Sequence, residues 1–541
     1  MNIGSRLTQR IQQLPPPTTR DLRVERGLKV PMRDGVFLLA DHWYPRTGST
    51  GLPTALIRVP YGRTGATASQ MARPLAERGF QVLVQSTRGT FGSGGTFDPF
   101  RCERADGLDT LEWVVEQPWF GTSMILVGGS YLGGVQWAVA DVVPPQVKAV
   151  IPAVSESALT LDFLREDAFG LELPFYWGVQ VARQERRLSM VRLLLTERKI
   201  GRAMNTLPLE QADKVVLGRH STYIQHMLAH GRDDPFWAPA DHRERVADIT
   251  VPVSTVAGWH DIFLPGQLRD FRVLQDAGRP ARLTVGPWPH LSIEVGAAAN
   301  REALDFGLAH ARDEKPSERT PVRLYVMGED AWRDFPAWPP PEYAPQRFHL
   351  HPDGLLAIAP PPADSAPDNY RYDPRDPTPA VGGVRMWFTV KPGTVDNRKL
   401  EARPDILTYT TSALAQDVEI IGEVSAEIFF RSSLPYADVF VRLCDVDEKG
   451  RSLNVCDGLV SLTDADEGAC ARVELWPTAY RFKRGHRIRV QVSSGAFPRY
   501  NRNPGTGEPR AKATVLRAAD QQVHHDQDRP SAIVLPVRQA P

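Results

Sequence analysis

The apolar residues of this chain gather first in short unbroken runs, at Ala55–Val59, Gln81–Gln85, Met124–Val127, Ala149–Ala153, Val253–Ala257 and Arg282–Gly286. Such runs lack the alternation of a half-exposed strand and predict parallel strands buried on both faces. Between the second and third runs the period changes. ERADGLDTLEWVVEQ, over 103–117, sets Leu108, Leu111, Val114 and Val115 at helical spacing, and Pro118 stops the helix. Strands alternating with helices predict an α/β sheet.

Two passages break this rhythm. From 156 to 245, segments such as MVRLLLTERKIGRAM and HSTYIQHMLAHG carry helical periodicity, predicting an inserted helical cap. From about residue 320 the runs VRLYVMG, EVSAEIFFRS, ADVFVRLCDVD, RIRVQVSS and SAIVLPV are strand-like and separated by Gly, Pro, Asp and Asn, predicting an all-β sandwich. AWPPPEYAP and IAPPPADSAPDNYRYDPRDPTPA read as stiff connections or long loops, because proline removes ladder donors. The expected organisation is a core in two parts, 22–155 and 246–330, a cap at 156–245, and a β-sandwich at 331–541 that begins with a proline-rich connection.

The length of 541 residues, 42% of them hydrophobic, suffices for at least two cores. The 64 basic residues balance the 64 acidic ones, so the summed field gives no reason to expect nucleic acid or a membrane as partner. Cys102, Cys444, Cys456 and Cys470 form no CxxC pair, and neither a metal nor a cofactor is expected; a Cys444–Cys456 bridge is open to an exported protein. The first twenty residues are polar and no run has the length of a membrane span, so cytoplasmic residence is expected. His524 and His525 read as surface residues. Homo-oligomerisation is compatible with everything above.

The chemistry begins at MILVGGSYLGGVQWAVADVV: an apolar strand, a glycine-flanked turn carrying Ser130, and a helix with Leu132, Val135, Val139 and Val142 on one stripe. A serine on such a turn stands exposed above the carboxyl edge of the sheet. Gly128 and Gly133 permit close backbone packing there. The motif departs from G-x-S-x-G, because Leu132 occupies the second position after the serine and glycine arrives at 133. Alone, it fits a serine in an ordinary strand–helix turn equally well.

A serine hydroxyl needs a histidine base and usually a carboxylate to orient it, and on such sheets the chain order is Ser, Asp or Glu, His. VSTVAGWHDIF presents Asp261 and RLTVGPWPHL presents His290, both just past the carboxyl ends of predicted strands and in that order. His260 competes as base, but it adjoins Asp261, and neighbouring side chains seldom converge as base and orienter.

At this point the chain resembles the cocaine esterase and X-Pro dipeptidyl-peptidase superfamily, the CocE/NonD hydrolases. The likeness rests on VPMRDGVFLLADHWYP, PYGR at 60–63, RGTFGSGG, DGLDTLEWVVEQPW, GGSYLGG, GWHDIF, GPWPH and VRLYVMGEDAWRDFPAWP. The resemblance implies an α/β-hydrolase core, a helical cap, a carboxy-terminal jelly roll, and a triad of Ser130, Asp261 and His290. It also implies an oxyanion hole made by the Tyr61 hydroxyl and the Tyr131 amide; from the residues alone, Tyr61 is a packing aromatic. QSTRG at 85–89 departs from relatives that carry an aspartate before the arginine, a change expected to touch a structural hydrogen bond and leave the triad alone.

These features predict a serine hydrolase that cleaves a small-molecule ester through an acyl-enzyme. The α-amino acid ester hydrolases that this family includes place a Glu-Asp pair beyond the catalytic aspartate to bind an ammonium. Phe263 and Leu264 stand there in this chain, predicting an uncharged aromatic or bulky acyl group. Trp259, Phe263, Trp288, Phe175, Tyr176 and Trp177 are candidates to line an acyl pocket. An amidase or X-Pro-type aminopeptidase with the same triad is the alternative, and an inactive binding protein a third reading.

Overall fold

The computed structural model describes residues 3–159, 164, 170–186, 188–386 and 390–539. The chain opens with α1 (Ile3–Ile11), β1 (Leu22–Pro31), β2 (Phe37–Pro45), β3 (Thr54–Val59), α2 (Gly65–Ala76), β4 (Gln81–Ser86), α3 (Glu103–Val115), β5 (Met124–Gly129), α4 (Tyr131–Trp137) and β6 (Val147–Ala153). A helical passage follows, with α5 (Glu172–Val181), α6 (Ser189–Ala203), α7 (Ala212–Leu217) and α8 (Thr222–Ala229). Parts of the expected cap, at 160–163, 165–169 and 187, lie outside the described residues. The sheet then resumes with β7 (Val253–His260), α9 (Leu264–Asp276), β8 (Ala281–Pro289) and α10 (Ile293–Glu302).

Two compact units result. One comprises Met1–Asp162, Asp234–Arg323 and Asp334–Pro336; the other comprises Phe163–Asp233, Leu324–Arg333 and Ala337–Pro541. In the first, strands run in the order β1-β2-β4-β3-β5-β6-β7-β8. The pairs from β4 and β3 through β8 are parallel, whereas β2 is antiparallel to both β1 and β4. Every residue of β3, β4 and β7 is buried, as the unbroken apolar runs predicted. This is an α/β-hydrolase core.

β1 and β2 escaped the pattern because charge interrupts them. Asp41 lies fully buried in β2, and Arg26 (2.7 Å) and Arg63 (3.1 Å) compensate it. The helix after Ser130 is shorter than predicted. α4 stops at Trp137, a single 3₁₀ turn carries Ala140–Val142, and Val142 is half exposed and off the expected stripe.

The second unit holds two antiparallel sheets. Ahead of them, β9 (Val322–Val326) and β10 (Ala331–Phe335) follow β8 as the last strands of the ten-stranded sheet; the two antiparallel sheets are built from β11 (Tyr343–Leu350), β12 (Leu356–Ala357), β13 (Asp368–Tyr372), β14 (Leu407–Thr410), β15 (Val418–Ser432), β16 (Ala437–Val446), β17 (Ser452–Leu462), β18 (Ala469–Phe482), β19 (Arg487–Ser493), β20 (Ala519–His524) and β21 (Ala532–Arg538). One sheet runs β12-β11-β21-β15-β20-β13 with β18 also on β15, and the other runs β14-β19-β16-β17, forming the β-sandwich. The proline-rich passage is not loop throughout. Its DNYRY segment is β13, which pairs with β20 from Asp368↔Val523 to Tyr372↔Ala519.

Two other expectations change. His524 and His525 are buried, at 7% and 0% exposure, because β20 ends at His524 and carries it and the residue after it into the sandwich. The four cysteines are free, and the Cys444–Cys456 bridge is absent; a bulge between Leu443 and Cys444 offsets the two residues across β16 and β17. Within the second unit a buried ion pair, Arg385 to Glu172 at 2.6 Å, ties the start of α5 to the loop at 380–386 of the β-sandwich. Among the described residues no helix is long and apolar enough to cross a membrane.

Candidate active site

Ser130, Asp261 and His290 each stand immediately past the carboxyl end of a parallel strand, β5, β7 and β8 respectively. Strand order sets the spacing: β7 and β8 are neighbours, and β6 separates them from β5. Sheet topology thus collects three groups far apart in sequence at one edge.

Ser130 is held in a conformation that L-residues rarely adopt, at φ 59° and ψ −128°. Such a position costs about 1–3 kcal/mol and persists only where its surroundings over-determine it. Here its N–H donates to Ala153 O of β6 at 2.9 Å, while its carbonyl accepts from the amides of Gly133 (2.8 Å) and Gly134 (3.0 Å). A serine ahead of a helix ordinarily caps it through its hydroxyl. Ser130 makes no such bond, and its Oγ lies 2.9 Å from His290 Nε2.

The glycines explain how the turn tolerates its departure from the usual motif. A Cβ at Gly128, where φ is +153°, would lie 2.5 Å from Leu132 Cβ, so leucine fits at 132 because residue 128 has no side chain. Gly133 lies against the Ser155 side chain, where a Cβ would clash.

His290 Nδ1 lies 2.6 Å from Asp261 Oδ2, and both residues are buried. The other carboxylate oxygen of Asp261 accepts the Phe263 amide at 2.8 Å, which locks the carboxylate plane. With Nδ1–H donated to the carboxylate, Nε2 keeps the lone pair that faces Ser130. His260, the rival base, is the last residue of β7 and sits in register with Pro289; His290 is the imidazole that joins serine and carboxylate.

Tyr61 lies in the turn directly after β3, the strand beside β5, and is half-buried. Tyr131 opens α4, so its amide stands next to Ser130. Its buried phenol points into the interior, donating to Glu103 Oε1 at 2.6 Å and accepting from the Phe100 amide at 3.1 Å. Arg58 pairs with the other oxygen of Glu103 at 2.8 Å. Burial pushes the Glu103 carboxyl up from its ordinary value, and Arg58 and Tyr131 oppose that shift. This network braces the residue beside Ser130, and sequence reasoning missed it; its one visible signal was an acidic residue opening a helix. Gln85, the departure noted above, accepts from Arg58 Nε at 2.9 Å and donates to Thr110 at 2.9 Å. Glu103 leaves Arg58 with a counter-charge even though residue 85 has none.

The aromatic candidates divide. The Phe263 ring lies edge-on to His290 with centroids 5.4 Å apart. Trp259 is buried on β7, and Trp288 packs on the cluster of Ala153, Val154, Val256, Val295, Ala298 and Ala299, with Gly286 leaving room for its indole. Phe175, Tyr176 and Trp177 lie on α5 in the second unit, all buried: the Tyr176 hydroxyl donates to Glu197 at 2.9 Å, and Trp177 stands edge-on to Tyr223.

A parallel sheet with serine, histidine and aspartate on its carboxyl edge defines a hydrolase core of the α/β class. Residues 34–292 match the model of the X-Pro dipeptidyl-peptidase (S15) family, and residues 317–534 match that of the X-Pro dipeptidyl-peptidase C-terminal non-catalytic domain. Cocaine esterase of Rhodococcus sp. (strain MB1 Bresler) is 32% identical over 95% of this chain and 98% of its own. The chain belongs to the CocE/NonD hydrolases of the S15 superfamily and is a serine hydrolase. Two solved structures share the fold across 97% of this chain and 98% of theirs. One is an aminopeptidase from the marine sediment archaeon Thaumarchaeota archaeon (TM-score 0.84, 23% identity), and the other is an α-amino acid ester hydrolase (TM-score 0.80, 21% identity).

Proposed function

We propose that this enzyme hydrolyses carboxylic esters of uncharged, aromatic or bulky acyl groups, with Ser130 as nucleophile, His290 as base and Asp261 as orienter. The observation that carries the reading is the imidazole of His290 bridging Ser130 (2.9 Å) and Asp261 (2.6 Å). Ser130 Oγ attacks the ester carbonyl as His290 Nε2 takes its proton; Asp261 stabilises the imidazolium; the proton then passes to the leaving alcohol. Water, deprotonated by the same imidazole, releases the acid. The Tyr61 hydroxyl and Tyr131 amide hold the oxyanion, two preorganised donors acting where charge develops.

Phe263 and Leu264, both buried just beyond Asp261, support the choice of acyl group. An apolar pair cannot balance an ammonium taken out of water, a burden of several kcal/mol. The similarity to cocaine esterase favours an ester over a peptide; the S15 match keeps amide and X-Pro cleavage as the second reading. Four free cysteines fit the reducing cytoplasm as its location.

The reading is tested with an alkyl fluorophosphonate and matched aryl esters and anilides. Stoichiometric adduct at Ser130 and preference for the ester are expected. A wild-type protein that hydrolyses esters with Ser130 unmodified would remove the triad from the reaction.

A further inference from the structure

A second serine, histidine and aspartate meet in the β-sandwich, within the region matched by the non-catalytic domain model. Strand pairing creates the meeting. Asp368 opens β13 opposite Val523 of β20, and His525 lies two residues further along, directly after β20. Ser365 sits on the proline-rich passage three residues before Asp368. Ser365 Oγ is 2.6 Å from His525 Nδ1, and His525 Nε2 is 3.0 Å from Asp368 Oδ2. The Tyr409 hydroxyl donates to that same carboxylate oxygen at 2.8 Å.

The bonding pattern fixes the imidazole. Asp368, as a carboxylate, only accepts, so Nε2 carries the proton and Nδ1 presents its lone pair to the Ser365 hydroxyl. A hydroxyl within reach of a base that a third group orients is the arrangement that activates a serine. The nitrogens are exchanged relative to the site on β5, which leaves the proton transfer unchanged. His525 is fully buried, Ser365 is half-buried and Asp368 is about one-third exposed at its side chain, so the imidazole is held inside while the serine and the carboxylate lie toward the surface.

We infer that Ser365 is a second nucleophilic serine, one that takes up an acyl or phosphonyl group from an activated reagent with His525 as its base. With a fluorophosphonate, Ser365 Oγ bonds to phosphorus, its proton passes to His525 Nδ1, and the P–F bond breaks with fluoride leaving on its electron pair. The outcome is a covalently modified β-sandwich.

The experiment uses the full-length Ser130→Ala protein, an alkyl fluorophosphonate and peptide mapping over time. Ser365 should be labelled about a hundredfold faster than the other serines of the same protein, the scale of a positioned base. Because His525 is buried, Asp368→Asn serves beside His525→Gln; each should slow labelling of Ser365 at least tenfold, while ester hydrolysis in a Ser365→Ala protein with Ser130 intact stays at wild-type level. Labelling of Ser365 at the rate of ordinary serines, or at a rate unchanged by Asp368→Asn, overturns the proposal. The result is separable from the role of Ser130, since the two adducts map to different peptides.

Discussion

Gly128 and Leu132 share one space: a Cβ on the glycine would lie 2.5 Å from the Cβ of the leucine, one residue on either side of the turn that carries Ser130. The spacing that first weakened the motif is therefore a substitution with its own compensation. Gly128→Ala should destabilise the protein by about 1–3 kcal/mol through overpacking and lower ester turnover by disturbing Ser130. Adding Leu132→Gly should restore part of the loss, so a double-mutant cycle in urea unfolding should show coupling of at least about 0.5 kcal/mol. Strict additivity would mean that the two residues do not compete.

Asp261→Asn should keep the fold and lower kcat by about 10⁴-fold. The asparagine amide can donate to Nδ1, which moves the imidazole proton to Nε2 and leaves Ser130 facing a donor. Steady-state kinetics on an aryl ester check this, and a loss of tenfold or less would show that Asp261 does not set the tautomer.

Tyr61→Phe removes one of the two proposed oxyanion donors and should reduce kcat by about a hundredfold or more, on the order of 3 kcal/mol, with little change in KM. Near-normal turnover in this variant takes Tyr61 out of the mechanism.

Between an aryl-acyl ester and an α-amino acid ester of similar size, kcat/KM should favour the uncharged substrate by at least about a hundredfold, equivalent to ~2.7 kcal/mol. The contrast should narrow as pH rises and the amine of the second substrate loses its charge. An enzyme that prefers the amino ester at neutral pH would refute the argument from Phe263 and Leu264.

Arg385→Met leaves the Glu172 carboxylate buried without its partner and should cost about 3–5 kcal/mol. Glu172→Met with Arg385→Met should recover most of it. Thermal unfolding of the single and double variants separates the value of the pair from the harm done by breaking it.

The parallel strands were legible because burial on both faces leaves nothing but apolar residues to read, as in Thr54–Val59 and Val253–His260. The outer strands were not, because Arg26 interrupts β1 and Asp41 interrupts β2, and DNYRY offers tyrosines alternating with polar residues inside a proline-rich passage. At the site, the order Ser130, Asp261, His290 could be read from strand ends. The brace of Glu103, Arg58 and Tyr131 could not, since it needs a helix start, a strand and the turn at Ser130 brought together. Nor does sequence alone tell that His525 is buried; that follows from the pairing of β13 with β20.

β6 and β7 lie side by side in register, Val150 against Val253 and Ala153 against Val256, although about a hundred residues separate them in the chain. Lengthening such an excursion costs little in closure entropy, roughly 0.6 kcal/mol for each doubling. Evolution can therefore rewrite the whole detour while the bond-breaking edge keeps its dimensions.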